Sequence, residues 1–173
     1  MQVISGIYKN HPLKSPNDDK THPMGSREKL ALFNMISPYL EDALVLDAFA
    51  GSGALGIEAL SRGAQRVIFV EKSGKIAKTI KENLENLGED ALQKSTIIVK
   101  DIDNFIITNK LDLIFADPPY NLFDTTKISP LGEYLKPNGI LVLSHPGEAP
   151  ILPNLTLQKS HSYAAATISI YQK

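Results

Sequence analysis

The segment LDLIFADPPYN (Leu111–Asn121) ends an apolar run on a carboxylate, two prolines and a tyrosine. Because proline has no N–H group and a fixed φ angle, Asp117, Pro118 and Pro119 present hydrogen-bond acceptors on a rigid backbone. Such a loop suits an NH₂ group, since two acceptors stabilise the positive charge that develops on nitrogen during group transfer. Tyr120 offers a ring on which a base can stack. These residues predict catalysis on an amine; the alternative is a purely structural turn.

A glycine turn lies earlier in the chain. GSGALG, from Gly51 to Gly56, matches the dinucleotide fingerprint, and Glu71 follows Gly51 by 20 residues, so a nicotinamide-dependent dehydrogenase has to be considered. In that fingerprint the first glycine follows the strand closely, which brings a pyrophosphate onto the helix N-terminus. Here Asp47 ends the predicted strand and three residues intervene. A carboxylate facing the turn would repel a pyrophosphate.

Three acidic residues end successive predicted strands: Asp47, Glu71 and Asp101. That edge is where open α/β sheets bind ligands. S-adenosylmethionine fits such a site, because it carries a sulfonium and an amino group but no phosphate. Glu71 would accept bonds from the ribose and Asp101 from the adenine amino group, with Ile102 against the ring. The structural alternative has Asp47 capping the turn, Glu71 at a solvated strand end and Asp101 capping a short helix.

The elements that position these residues follow from periodicity. From residue 43 onward, apolar runs alternate with helical patterns, which predicts a mostly parallel sheet with helices on both faces and an antiparallel strand pair near the C-terminus. We expect a helix over residues 127–139 and place His145 in a solvated turn. Before residue 43 we expect a small hairpin, and a helix capped by Ser26 whose apolar side includes Leu30 and Phe33.

Composition limits the remaining possibilities. The 173 residues include no cysteine, which excludes disulfides and thiolate metal sites. No apolar run has the length of a membrane span, the N-terminus does not resemble a signal peptide, and a cytoplasmic protein is expected. No spacing predicts a metal site. The net charge of −1 does not indicate a nucleic-acid binder, although residues 1–29 carry five basic against three acidic side chains.

Three motifs together carry a family resemblance. DAFAGSGALGIEAL, the strand-end Glu71 and DPPY resemble the class I S-adenosylmethionine methyltransferases that modify exocyclic amines. Within these, the chain is similar to the RsmD family of bacterial 16S rRNA guanine-N2 methyltransferases. MQVISGIYKNHPLKSP and HPMGSREKLALFNMI are similar to the start of that family, although His22 and Met24 depart from its usual arginine and threonine.

The resemblance implies a Rossmann-like α/β fold with a seven-stranded sheet, in one domain (1–173) made of an RNA-contacting extension (1–40) and a catalytic core (41–173). It implies S-adenosylmethionine as cofactor, 16S rRNA or an assembling small ribosomal subunit as partner, and a monomer. The implied catalytic residues are Asp117, Pro118, Pro119 and Tyr120. The expected cofactor contacts are Asp47, Phe49, Ala50, Gly51, Gly53, Glu71, Lys72, Asp101 and Ile102. The expected RNA contacts are Lys9, Lys14, His22, Arg27 and Lys29.

Other functions stay open on sequence grounds. A DNA adenine-N6 methyltransferase, or an enzyme that methylates a glutamine amide, could use a similar acceptor loop. A nicotinamide-dependent dehydrogenase could be built on GSGALG, and a binding-only domain could have lost catalysis.

Overall fold

The computed structural model describes residues 1–16, 24–163 and 166–173. Its centre is one sheet of seven strands: β1 (Leu44–Asp47), β2 (Arg66–Glu71), β3 (Ser95–Val99), β4 (Leu111–Ala116), β5 (Leu135–His145), β6 (Thr156–Ser162) and β7 (Thr167–Gln172). The spatial order is β3-β2-β1-β4-β5-β7-β6. The first five strands pair in parallel, and β7 pairs antiparallel with both β5 and β6. The predicted fold class is confirmed.

Helices precede the first strand and lie between later ones. They are α1 (Ser26–Met35), α2 (Ala54–Ser61), α3 (Gly74–Leu87), α4 (Glu89–Gln93) and α5 (Thr125–Ile128), with short 3₁₀ segments at Ser37–Tyr39, Ile102–Asn104, Tyr120–Leu122 and Ser129–Tyr134. Helix α3 begins after Ser73, whose hydroxyl accepts a bond from the Ile76 N–H. Such side-chain caps satisfy one of the free N–H groups at a helix start.

Both faces of the sheet are covered, which explains why its central strands are continuous apolar runs. Alternate residues feed two separate cores. Val45 and Phe115 belong to one buried cluster, whereas Leu46, Ile114 and Leu141 belong to the other. Burying apolar surface on two sides stabilises the central strands and makes them a rigid base for the loops at their ends.

The predicted helix over residues 127–139 is wrong. Helix α5 and a 3₁₀ segment occupy only its first part, and β5 begins at Leu135. Leu135 pairs with Leu111 of β4, and the register shifts before Leu113 meets Ile140. The intervening irregularity accommodates Pro137, which cannot donate to a ladder. Pairing with β4 therefore overrides the helical pattern.

Helix α1 also differs in detail from its prediction. Its N-cap is Gly25 rather than Ser26, and the Glu28 carboxylate accepts a bond from the Gly25 N–H. Leu30 is 41% exposed, whereas Leu32 and Phe33 are buried. The buried face of α1 is thus rotated from the predicted one, because α1 packs against both α2 and the sheet.

The N-terminal segment forms the expected small hairpin, with an antiparallel bridge between Gln2 and Pro12 and a backbone bond of 3.0 Å from the Val3 N–H to the His11 carbonyl. The hairpin is also held by α2. Glu58, which is fully buried, accepts bonds from the Ile4 and Ser5 N–H groups at 2.8 and 3.0 Å. At Gly6, with φ +85°, an added Cβ would lie 1.7 Å from the Ser61 carbonyl oxygen, so this close approach requires glycine.

Within the described ranges, no helix combines the length and apolar character that crossing a membrane requires.

Candidate active site

The carboxyl ends of the parallel strands bring the predicted acids to one edge of the sheet. Asp47 ends β1, Glu71 ends β2 and Asp117 directly follows β4. The chain runs from β1 to β2 and β3 on one side, and to β4 and β5 on the other. The edge between β1 and β4 is therefore the switch point at which such sheets bind ligands.

Asp47 is 1% exposed, and its Oδ2 accepts a bond of 3.0 Å from the Gly56 N–H of α2. Its pKa is raised to about 7, mainly by burial and in smaller part by the charges of Asp117 and Glu71, while the bond from Gly56 opposes the rise. No lysine or arginine pairs with these three carboxylates in the described part of the chain. A cationic ligand would supply the missing counter-charge.

Glu71 braces the glycine turn. Its Oε2 accepts a bond of 3.0 Å from the Gly51 N–H and its Oε1 accepts one of 2.8 Å from the Ser73 N–H. Each oxygen keeps a further lone pair for a ligand hydroxyl. Gly51 has φ +53° and nothing within 4 Å of the Cβ it lacks, so a ligand could approach its backbone. Glu71 is therefore more than a solvated residue at a strand end, because it holds the glycine turn in place.

The rest of the turn packs tightly. Gly53 has φ +79°, and an added Cβ would lie 3.1 Å from Ile80. Ala50 is buried and donates its N–H to the Val70 carbonyl at 3.0 Å, whereas Phe49 is partly exposed. The turn therefore holds a fixed shape beside Asp47.

Asp101 follows β3 and caps the short 3₁₀ segment that begins at Ile102, by accepting a bond of 3.2 Å from the Asp103 N–H. Its side chain is 41% exposed, and Lys127 Nζ lies 3.9 Å from Oδ1. Ile102 is buried, and Lys72 is exposed beside Glu71. The structural alternative for Asp101 is realised; its contact with an adenine stays a prediction.

The loop after β4 carries the second half of the site. Pro118 is buried, and Asp117 and Pro119 are partly exposed. Burial raises the pKa of Asp117 to about 6, and the hydroxyl of Ser144 lowers it in part. The Tyr120 hydroxyl lies 2.7 Å from Ser144 Oγ. A carboxylate with a raised pKa, on a loop whose two prolines lack N–H donors, suits acceptance of a proton from an amine.

Of two neighbouring residues of β5, sequence reasoning missed Ser144 and misplaced His145. Ser144 is 2% exposed and touches the loop, and no motif marked it. His145 is fully buried, so its predicted place in a solvated turn is wrong. Its Nε2 lies 2.8 Å from Ser169 Oγ and its Nδ1 3.2 Å from the Pro146 carbonyl oxygen. Burial lowers the pKa of His145, and its ring packs 6.0 Å from that of Phe123.

The residues predicted to contact RNA have different environments. Lys9 and Arg27 are exposed, and no ion pair involves either within the described residues. Lys14 is exposed but lies 2.8 Å from Glu82 Oε2. His22 lies outside the described residues. Two predicted cations thus present unpaired charge at the surface.

Lys29 does not. It is 4% exposed, its Nζ lies 3.5 Å from Glu58 Oε2, and it donates to the Gln2 carbonyl at 3.2 Å. Arg62 pairs with the same glutamate at 2.8 Å. The prediction that Lys29 contacts RNA is wrong, because α1 turns this side chain toward α2, where it helps to hold the N-terminal segment.

Among the residues that the structure describes, no group of three or more histidine, cysteine, aspartate or glutamate side chains could hold a metal ion.

Known proteins that resemble this chain agree with the chemistry that the geometry indicates. The family model described as conserved hypothetical protein 95 matches residues 1–172. The chain belongs to this family, the RsmD family. It is 34% identical to ribosomal RNA small subunit methyltransferase D of Haemophilus influenzae, over 99% of this chain and 93% of the relative.

Solved structures share the fold. The yhhF protein of Escherichia coli, provisionally described as a methyltransferase, has a TM-score of 0.88 at 26% identity, covering 100% of this chain and 97% of that one. An RNA methyltransferase from Salinibacter ruber, solved in complex with S-adenosyl-L-homocysteine, has a TM-score of 0.70 at 14% identity, covering 87% and 93%; this likeness shows the fold alone. The chain is a methyltransferase, and the dehydrogenase alternative is set aside.

Proposed function

We propose that this RsmD-family chain transfers a methyl group from S-adenosylmethionine to the exocyclic N2 amine of a guanine in 16S rRNA. One observation carries the proposal: the acceptor loop that begins at Asp117 lies beside the buried, unpaired carboxylate of Asp47 at the switch point of the sheet. One half of this site suits a cation, and the other suits an amine.

The acidic edge suits the cofactor. S-adenosylmethionine supplies an electrophilic methyl group on a positively charged sulfur. Asp47 would face the positive end of the ligand, Gly51 leaves its backbone open to it, and Glu71 keeps lone pairs for the ribose hydroxyls. A dinucleotide would bring negative phosphates to the same carboxylates, which Coulomb repulsion opposes. The shared RsmD family and the ligand-bound relative of the same fold support this assignment.

The loop would act on the target amine. The Asp117 carboxylate and the backbone carbonyls of Asp117 and Pro118 accept hydrogen bonds from the two N–H groups, which favours a tetrahedral nitrogen and stabilises the charge that develops on it. The ring of Tyr120 stacks on the base. Asp117, whose pKa burial raises to about 6, then accepts the surplus proton.

The polymer substrate is proposed from the relatives and from surface charge. The relative from Haemophilus influenzae is named as acting on small-subunit ribosomal RNA. On this chain, the exposed Lys9 and Arg27 are the predicted cations that remain for phosphate contact. So few contacts favour a folded rRNA or an assembling small subunit over a short oligonucleotide. The guanine must be unstacked, since its amine is inaccessible within a paired helix. We expect the enzyme to act as a monomer.

The test is direct methylation. The protein is incubated with labelled S-adenosylmethionine and 16S rRNA, either naked or in small-subunit particles, and the modified base is mapped. Label at N2 of a guanine is expected, and label at another position or no label on either substrate would overturn the proposal.

Asp117→Ala is expected to abolish transfer, because the amine loses its charged acceptor, while calorimetry shows S-adenosylhomocysteine affinity within about threefold of wild type. Asp112→Asn is the matched control: Asp112 lies in the same strand but at the opposite edge, where it pairs with Lys136. It should retain transfer. Wild-type turnover by Asp117→Ala would refute the assigned role.

A further inference from the structure

Ser144 lies where β5 reaches the ligand edge. Ala116 of β4 pairs with Leu143 of β5, so Asp117 and Ser144 are the next residues on two adjacent parallel strands. Ser144 is 2% exposed, and its Oγ lies 2.7 Å from the Tyr120 hydroxyl oxygen. One buried hydroxyl thus contacts the loop at its last residue and faces its first.

Counting protons orients this network. A serine hydroxyl has one proton and two acceptor lone pairs, and tyrosine also has one proton to donate. If Tyr120 donates to Ser144 Oγ, then Ser144 is free to donate to the Asp117 carboxylate, and all three groups are satisfied. If Ser144 donated to Tyr120 instead, it would have no proton left to donate to Asp117. The first arrangement agrees with the effect of Ser144 on Asp117, whose pKa it lowers.

The charged groups near the loop cannot supply the hydrogen bond that Ser144 makes. Glu28 of α1 and Asp117 itself act on Tyr120, and both are acidic. Asp47 and Asp117 repel one another when both are ionised. Among the described residues, Ser144 is therefore the hydroxyl that bonds the Tyr120 end of the loop and lies in register with its Asp117 end.

We propose that Ser144 is a positioning residue for methyl transfer: its one hydroxyl fixes the Tyr120 ring and the Asp117 carboxylate relative to each other. The inference rests on the proposed function. Accepting from Tyr120 sets the plane of the ring against which the base stacks. Donating to Asp117 occupies one acceptor position and leaves the others directed at the amine. A loop without this tie would keep its residues and lose their mutual geometry, on which transfer depends.

The first test measures the loop without requiring activity. The carboxyl titration of Asp117, assigned with Asp117→Asn, is followed by ¹³C NMR in wild type, Ser144→Ala and Ser169→Ala. Ser169 is a matched control, because it is a fully buried serine on β7 that bonds His145 and Ser160 rather than the loop. We expect the Asp117 midpoint to move to higher pH in Ser144→Ala alone. An unchanged midpoint, or an equal change in Ser169→Ala, would overturn the proposal.

The second test uses the rRNA methylation assay. Ser144→Ala should lower kcat about tenfold, with S-adenosylhomocysteine affinity within about threefold. The double variant Ser144→Ala/Tyr120→Phe should lose no more than Ser144→Ala, because the tyrosine hydroxyl already lacks its partner. Additive losses would contradict the shared network. If the wild type methylated no rRNA, the proposed function would fail, while the NMR comparison would still decide the role of Ser144.

Discussion

Replacing Asp47 with asparagine should stabilise the ligand-free protein at neutral pH. Asp47 is 1% exposed and faces Asp117 and Glu71, so ionising it in the folded state is unfavourable. Asparagine has nearly the same shape and can still accept the bond from the Gly56 N–H. The variant therefore removes a buried charge and keeps the contact that orients the side chain.

The size of the effect follows from the pKa. Folding raises the pKa of Asp47 from 3.8 to about 7, which corresponds to a cost of about 4 kcal/mol once the folded carboxyl is ionised. Because the folded pKa is raised, the contribution of Asp47 to stability is fully present below about pH 4 and is lost as the pH rises to about 7. With relaxation around the charge, we expect a gain of about 2–4 kcal/mol for Asp47→Asn at about pH 8.

Urea unfolding at a series of pH values measures this difference. The advantage of Asp47→Asn over wild type should grow by up to about 1.4 kcal/mol per pH unit between about pH 4 and 7, then level off. Asp112→Asn serves as the control and should be no more stable than wild type, since Asp112 pairs with Lys136 at 2.8 Å.

The same substitution should weaken ligand binding while it stabilises the ligand-free protein. S-adenosylhomocysteine should bind Asp47→Asn about tenfold more weakly, because its amino group loses a charge-assisted hydrogen bond. A stability difference that did not depend on pH, or a variant less stable than wild type at about pH 8, would refute the account of Asp47 as an uncompensated buried charge.

Three further predictions concern residues of helices α1 and α2. Arg27→Ala should weaken binding to 16S rRNA more than cofactor binding, as measured by filter binding and calorimetry, with a shallower salt dependence; equal losses would count against the contact. Lys29→Met should instead destabilise the fold by about 3 kcal/mol in urea, because it leaves Glu58 without one of its buried partners, and an unchanged midpoint would contradict this. Gly56→Ala should cost about 2 kcal/mol or more, since its Cβ would lie 2.3 Å from Phe69 Cε1; wild-type thermal stability would show that the helix can shift.

The edge of the site was predictable from the sequence, for a physical reason. Strands buried on both faces read as apolar runs, and parallel strands all end at the same side of their sheet. The positions of Asp47, Glu71 and Asp117 after such runs therefore predict that the three carboxylates lie together. The family resemblance of the glycine turn and DPPY added the reaction class.

Other features depended on contacts between distant segments. The residues next to Lys29 in the sequence do not show that its charge is buried against Glu58, which lies 29 residues away. From composition alone, Lys29 counts as a free cation. Ser144 and His145 are adjacent on β5 and carry no motif, yet one reaches Tyr120 and the other Ser169. Residues 135–139 belong to β5 because Leu135 pairs with Leu111 of β4 and Ile140 with Leu113, which outweighs their local preference.

What the sequence could predict and what it could not depends on how far apart the interacting groups lie along the chain. Periodicity, prolines, glycines and strand-end acids act through the local backbone, so the sequence alone determined the sheet, the acidic edge and the acceptor loop. Whether a side chain is charged toward solvent, buried against a partner or hydrogen-bonded to the loop depends on groups far away in the chain. Only the tertiary structure decided that Lys29 supports the fold and that Ser144 touches the site.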